Sequence, residues 1–272
     1  MLQFFYKFIL KRSFFKGQHR LFNLLFKNNK FKKQKVVVKP LLGNFQIGCD
    51  TSTWIGARIV YLGDYEPELK KVFQTHIEAD YTILDVGANI GFHTLFFRDL
   101  VGKKGKVIAF EPIPLNFESL NRNIALNGFK NIEVHQIALS NKNETISIVA
   151  DVNSTNPGSF NLFDQNGDIT VTCRIGDEII ITEKVDFIKI DVEGYESFVI
   201  DGLMKTITKF KPKIIFEYDN NYHKKTGLPA NYIFSKIEPL GYHFFMVELS
   251  GVKKITTFEN LRSGNIVAIP YD

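Results

Sequence analysis

Residues 83–94, Ile-Leu-Asp-Val-Gly-Ala-Asn-Ile-Gly-Phe-His-Thr, constrain the fold more than any other stretch of this chain. A short apolar run reaches an acid at Asp85, a small-residue turn follows from Gly87 to Gly91, and Phe92 to Leu100 carries a helical pattern. Strand, glycine turn and helix N-terminus in succession let a ligand approach bare backbone and donor N–H groups. A second strand, Lys106 to Phe110, ends on Glu111. An acid at the tip of the second strand of such a unit is placed to accept hydrogen bonds from ribose hydroxyls. Together the two features imply a nucleoside-bearing cofactor.

The glycine spacing separates the candidate nucleosides. A dinucleotide fingerprint reads G-x-G-x-x-G, its second glycine admitting a pyrophosphate. Here the spacing is Gly87-x-x-x-Gly91, with Asp85 before it and no basic residue in the turn. An acidic strand end suits an ammonium group and a sulfonium better than a pyrophosphate. Asp85-x-Gly87-x-x-x-Gly91 resembles the first motif of class I S-adenosylmethionine-dependent methyltransferases, and a nicotinamide-dependent oxidoreductase is disfavoured by the missing middle glycine.

Strand and helix patterns alternate along the rest of the chain. Strands are expected at 82–86, 106–110, 132–137, 186–191, 213–218, 242–247 and 265–269, and helices at 68–76, 92–100, 115–127, 195–208 and 230–239. This order predicts an α/β fold with a doubly wound, mostly parallel seven-stranded sheet. Residues 45–59 read as a short strand or hairpin region. Between the third and fourth strands lies an insertion, 145–173, that reads as a β-hairpin around a polar loop, 151–168.

Charge divides the chain in two. Of its 34 Lys and Arg, eleven fall in residues 1–40, which hold no Asp or Glu. The remaining 23 face 29 acidic residues. A basic, aromatic-rich extension (1–40) therefore precedes a mildly acidic globular domain (41–272). Lysines interrupt the extension's apolar runs long before the ~18–20 residues that span a bilayer, and it lacks the h-region of a secretory signal. Phenylalanine and leucine mixed with lysine suit peripheral contact with an anionic membrane. The same residues also suit a helix packed on the domain. Cys49 and Cys173 have no metal-like spacing and make no disulfide framework, which suits a reducing cytoplasm.

The fourth strand ends Lys189-Ile190-Asp191-Val192-Glu193-Gly194-Tyr195-Glu196, and the fifth ends Phe216-Glu217-Tyr218-Asp219. Acids at adjacent strand ends are costly to bury unpaired and mark a candidate active site. Asp191 is the first choice for a base or acceptor-orienting group, then Glu193 and Glu217. Glu196 reads as favouring a helix dipole. The three leading carboxylates would alternatively suit a Mg²⁺. His93 reads as a helix polar residue rather than a catalyst, and Trp54 as core.

Tyr65-Glu66-Pro67, Leu84 to Gly91, Phe110-Glu111-Pro112, Lys189 to Glu196 and the closing Asn265-Ile266-Val267-Ala268-Ile269 together resemble the FkbM-type methyltransferase family over residues 45–270. The resemblance implies a class I, Rossmann-like methyltransferase fold, S-adenosylmethionine as methyl donor, and a hydroxyl acceptor on a sugar, glycan or natural product. It assigns Asp85, Gly87, Asn89 and Gly91 to the methionine part, Glu111 to the ribose, and the neighbourhood of His135 to Ala138 to the adenine. Asp191 stands at the meeting of donor and acceptor. One departure is Cys173-Arg174-Ile175-Gly176-Asp177, where members often carry Thr-Leu-Asp. Two rivals remain. A nucleic-acid methyltransferase usually carries Asn/Asp-Pro-Pro-Tyr/Phe where this chain has Asp191-Val192-Glu193-Gly194. A non-catalytic binding protein would retain the fold alone.

Overall fold

The computed structural model describes residues 2–12, 15, 17–148, 167–249, 251–258 and 261–271. Thirteen strands occur among them: β1 Lys35–Val38, β2 Ile47–Asp50, β3 Thr82–Val86, β4 Lys106–Phe110, β5 Ile132–His135, β6 Ala138–Ser140, β7 Glu144–Ile148, β8 Ile169–Ile175, β9 Phe187–Ile190, β10 Lys213–Tyr218, β11 Tyr242–Glu248, β12 Gly251–Lys254 and β13 Gly264–Pro270. The main sheet has the order β12-β11-β13-β10-β9-β3-β4-β5. From β10 to β5 all pairs are parallel, and β13 runs antiparallel to both β10 and β11.

The seven expected strands are all present, with an eighth, β12, folded back on β11 as an exposed edge. The third expected strand ends earlier, at His135, and the unforeseen β6 that follows leaves the main sheet to pair with β8. With β7 antiparallel to β8, the insertion forms a three-stranded sheet rather than a bare hairpin. Its loop tip, including most of 151–168, lies outside the described residues.

The central strands are apolar on both faces because helices cover both. Leu84, Val86, Ile188, Ile190, Ile214 and Phe216 pack into one layer with Val199, Ile207 and Phe234. Ile83, Phe187 and Ile215 point the other way, into a layer with Phe73, Leu95, Phe96 and Phe97. This period-2 division is the strand pleat expressed as two cores.

One expectation is corrected. Trp54–Leu62 is a helix, started by Thr53, whose Oγ1 accepts the Gly56 N–H at 3.1 Å. It receives the N-terminal extension. Trp54 is half-buried there, its ring edge-on to Phe22 and its Nε1 donating to Asn23 Oδ1 at 3.2 Å. Leu10, Phe22 and Phe31 are buried, and Phe31 stacks on Tyr61 with 3.9 Å between ring centres. Cys49 and Cys173 are buried free thiols. No helix among the described residues is long and apolar enough to cross a membrane.

Candidate active site

The chain winds away in opposite directions from β3 and β9, and the turn after β3 meets the end of β9 at this switch point. Gly87 has φ +78°, and a Cβ there would stand 1.9 Å from the Asp191 carbonyl oxygen, so only glycine fits. Gly91, at φ +90°, would drive a Cβ to 2.5 Å from Leu120 Cδ1. Asn89 between them adopts φ +52°, which asparagine tolerates better than most residues. The turn thus presents backbone to a cavity that Gly87, Ala88 and Asn89 line.

Glu111 fastens this turn. It is buried, with Oε2 accepting the Asn89 N–H at 2.8 Å and Oε1 accepting the Ile113 N–H at 2.9 Å. Burial pushes its carboxyl up to about 7, against the pull of those two amides and of Asn116. Ala138, flanked by Ile137 and Leu139, lines the same cavity.

Asp85 lies beneath the cavity rather than in its wall. It is the register partner of Lys189 across β3 and β9. Its Oδ2 accepts the Thr94 hydroxyl proton at 2.6 Å, and its Oδ1 stands 3.5 Å from Lys189 Nζ. Lys189 Nζ also donates to the Gly87 carbonyl at 2.8 Å and lies 3.3 Å from Asp191 Oδ2. Burial pulls this lysine's proton affinity down. Asp191, Asp85 and Glu66 together reverse that and keep it cationic. Sequence reasoning missed Lys189, although a lysine inside Phe187-Ile188-Lys189-Ile190 was the signal.

Asp191, Glu193 and Glu217 line one cavity, as their strand ends suggested, and Glu66 joins them. Glu193 and Gly194 take φ +53° and +99°. Glu196 ties their loop from behind, its Oε1 accepting the Val192 and Gly194 N–H groups, both at 3.1 Å. Burial, then the fields of Asp191 and Glu193, push Glu217 up to about 9. Burial and Asp191 push Glu66 up to about 8, against the pull of Lys189. Among the described residues no group of three or more His, Cys, Asp or Glu is arranged to hold a metal ion. A Mg²⁺ held by Asp191, Glu193 and Glu217 is therefore not supported.

These carboxyls give the protein an inverted alkaline response. Glu66 and Glu217 keep protons in the folded, ligand-free state, at about 8 and about 9, that an unfolded chain has released well below pH 7. The folded state binds more protons, so stability must fall as pH rises through those values. His93, held far below its ordinary value, is neutral in both states there and does not oppose the trend. The Tm of ligand-free protein is expected to drop several degrees from about pH 7 to about pH 9. A flat or rising Tm in a thermal melt series would contradict this assignment.

His93 is the second residue sequence reasoning set aside. It lies in the first turn of the helix Phe92–Val101, 5% exposed, and lines the cavity. Its Nε2 has no hydrogen-bond partner, and neither has Glu66 Oε2, 3.6 Å away. Burial, Lys189 and Lys70 hold the imidazole neutral. Glu66 reaches His93 because Pro67 starts the following helix and Glu66 itself bends through φ +47°. The only sequence hint was its place in the Tyr65-Glu66-Pro67 block.

The family model described as "Methyltransferase FkbM domain" matches residues 85–244. Methyltransferase 1 of Beauveria bassiana is 28% identical over 149 residues, 46% of this chain and 59% of that protein. The hexuronic acid methyltransferase AglP of Haloferax volcanii is 28% identical over 145 residues, 52% of this chain and 58% of that one. The chain thus spans about three-fifths of the length of these curated relatives. A solved methyltransferase FkbM from Methylobacillus flagellatus superposes with a TM-score of 0.46 at 18% identity, covering 93% of this chain and 71% of that one. With the family model spanning more than half of its residues, the glycine turn and the acidic strand ends included, the chain belongs to the FkbM-type methyltransferases.

Proposed function

We propose that this methyltransferase uses S-adenosylmethionine to methylate a hydroxyl oxygen of a sugar, glycan or natural product. The observation that carries the acceptor reading is the orphaned pair His93 Nε2 and Glu66 Oε2, buried in the cavity that the glycine turn lines. At 3.6 Å they are too far apart to bond each other, yet one oxygen about 2.8 Å from each bridges them. A hydroxyl both donates and accepts, so it satisfies the carboxylate and the imidazole N–H at once. A carboxylate acceptor would instead meet the charges of Asp191 and Glu193 and, once they ionise, of Glu66 and Glu217. The relative named for hexuronic acid therefore supports the sugar class and not the acid group. The same rim repels a phosphate backbone, which argues against nucleic acid.

The donor side fits its ligand on this chain's own features. Gly87 and Asn89 present the turn to the cavity while Gly91 lets it pack against Leu120, with Asp85 acting through Lys189 below it. Glu111 keeps lone pairs for ribose hydroxyls after accepting two amides, and Ala138 with its neighbours offers apolar surface to an adenine. Bound there, S-adenosylmethionine supplies a methyl group made electrophilic by its sulfonium. Asp191, steadied by Lys189, orients the acceptor, and Glu193 and Glu217 extend that polar wall. Glu66 takes the proton that the hydroxyl gives up as its oxygen gains the methyl. With its carboxyl at about 8 the ionised fraction acts as the base, so the rate should rise with pH toward that value.

Calorimetric titration should show S-adenosylmethionine binding and no NAD binding, with Glu111→Ala weakening the former about 10–100-fold. Radiolabelled transfer should favour neutral methyl glycosides over hexuronates. Glu66→Gln should lower kcat about 100-fold or more while leaving donor affinity in place. Absent donor binding, preferred uronate methylation, or full activity in Glu66→Gln would overturn the corresponding part.

A further inference from the structure

The helix Leu2–Arg12 has two apolar faces, and the fold buries only one. Gln3, Tyr6 and Leu10, at i, i+3 and i+7, form the inner face. Leu10 is fully buried, Tyr6 meets Phe31 edge-on, and Gln3 Oε1 accepts the Tyr61 hydroxyl proton at 2.5 Å. These contacts fix the helix's rotation. Leu2, Phe4 and Phe5 are consequently turned outward, 57%, 76% and 54% exposed. Buried aromatic surface is the usual fate of phenylalanine, so an outward group of this kind marks an interaction surface.

Its surroundings specify the partner. Gln3 Nε2 donates to the Lys30 carbonyl at 2.9 Å, and Gln3 Oε1 accepts the Lys32 N–H at 3.0 Å. The exposed lysines 30, 32 and 33 are thereby held beside the start of the helix that carries the aromatics. No acid occurs anywhere in residues 1–40 to neutralise them. We propose that this face docks on an anionic lipid bilayer, lying in the interface with Leu2, Phe4 and Phe5 among the acyl chains and the lysines among the headgroups. The patch is a convex helix surface without a groove. A bilayer accepts such side chains without shape complementarity and supplies the negative charge that the lysines lack. At about 1.5 Å per residue the helix is far shorter than a hydrocarbon core, so it lies on the membrane and does not cross it. This surface is independent of the acceptor chemistry proposed above.

Co-sedimentation of the full chain with vesicles tests the proposal, using phosphatidylcholine alone and phosphatidylcholine mixed with phosphatidylglycerol. Binding to the anionic vesicles should be at least about tenfold stronger and should weaken with salt. The double variant Phe4→Ser/Phe5→Ser should lose binding about tenfold or more, with unchanged Tm because both rings are exposed. The triple variant Lys30→Gln/Lys32→Gln/Lys33→Gln should lose the preference for anionic lipid. Equal or absent partitioning of the wild type, or full binding by the double variant, overturns the proposal. So does a dimer in light scattering that the double variant abolishes while vesicle binding is absent, since the face would then belong to a second copy.

Discussion

Lys189→Met is expected to cost the folded protein about 3–5 kcal/mol, as loss of one member of a buried ion pair does. The lysine holds three oxygens together: the Gly87 carbonyl, Asp191 Oδ2 and Asp85 Oδ1. Removing its charge leaves Asp85, which is 0% exposed, with only the Thr94 hydroxyl. Asp85 must then take up a proton or admit water between two central strands. The double variant Asp85→Asn/Lys189→Met should recover part of the loss, because the stranded charge is gone. A double-mutant cycle by urea denaturation measures this directly. Additive losses would mean that the two residues are not a pair in solution.

Gly87→Ala should do comparable harm by a different route. The new methyl would stand 1.9 Å from the Asp191 carbonyl oxygen, where no atom can remain, and the backbone would be held at φ +78°. Strand β9 and the glycine turn must separate, pulling Asp191 and the amides that Glu111 fastens out of their common cavity. Donor binding by calorimetry is expected to fall beyond about 100-fold, together with a loss of stability of about 2–3 kcal/mol. Gly128→Ala is the control: nothing lies within 4 Å of its Cβ position, so only the strain of φ +63° is added. Equal donor affinity in Gly87→Ala and the native chain would show that the turn does not form the donor site.

The glycine-turn side of the cavity was legible because its signals are local. Apolar runs end on acids, glycines sit where backbone must turn, and each strand needs only its own few residues to be recognised. The side at Glu66 and His93 was not, because it depends on contacts between distant segments. Glu66 and His93 are 27 positions apart, and only the fold of the 64–67 bend brings them to 3.6 Å. Trp54–Leu62 carries isoleucine, valine and tyrosine in strand-like density, yet the Thr53 cap and packing against the extension make it a helix. The face that helix Leu2–Arg12 packs inward was hidden in the sequence for a related reason. Charges and aromatics separate poorly when both faces are apolar, and only the packed structure shows which face is used. Lys189 was overlooked because one polar residue in a short strand looks like ordinary alternation, while its meaning lies in the register with Asp85.

The cross-strand pairing of Asp85 with Lys189 also bears on how such an enzyme diversifies. The floor beneath the glycine turn is part of the sheet's own core, so substitution there costs stability. The opposite wall is loop: the 64–67 bend and the 191–194 turn. Those segments can be exchanged without touching the registered strands. A redesign that grafts new sequence into them and leaves β3, β4 and β9 intact should retain the donor while changing what receives the methyl group, a modularity written into the placement of one lysine.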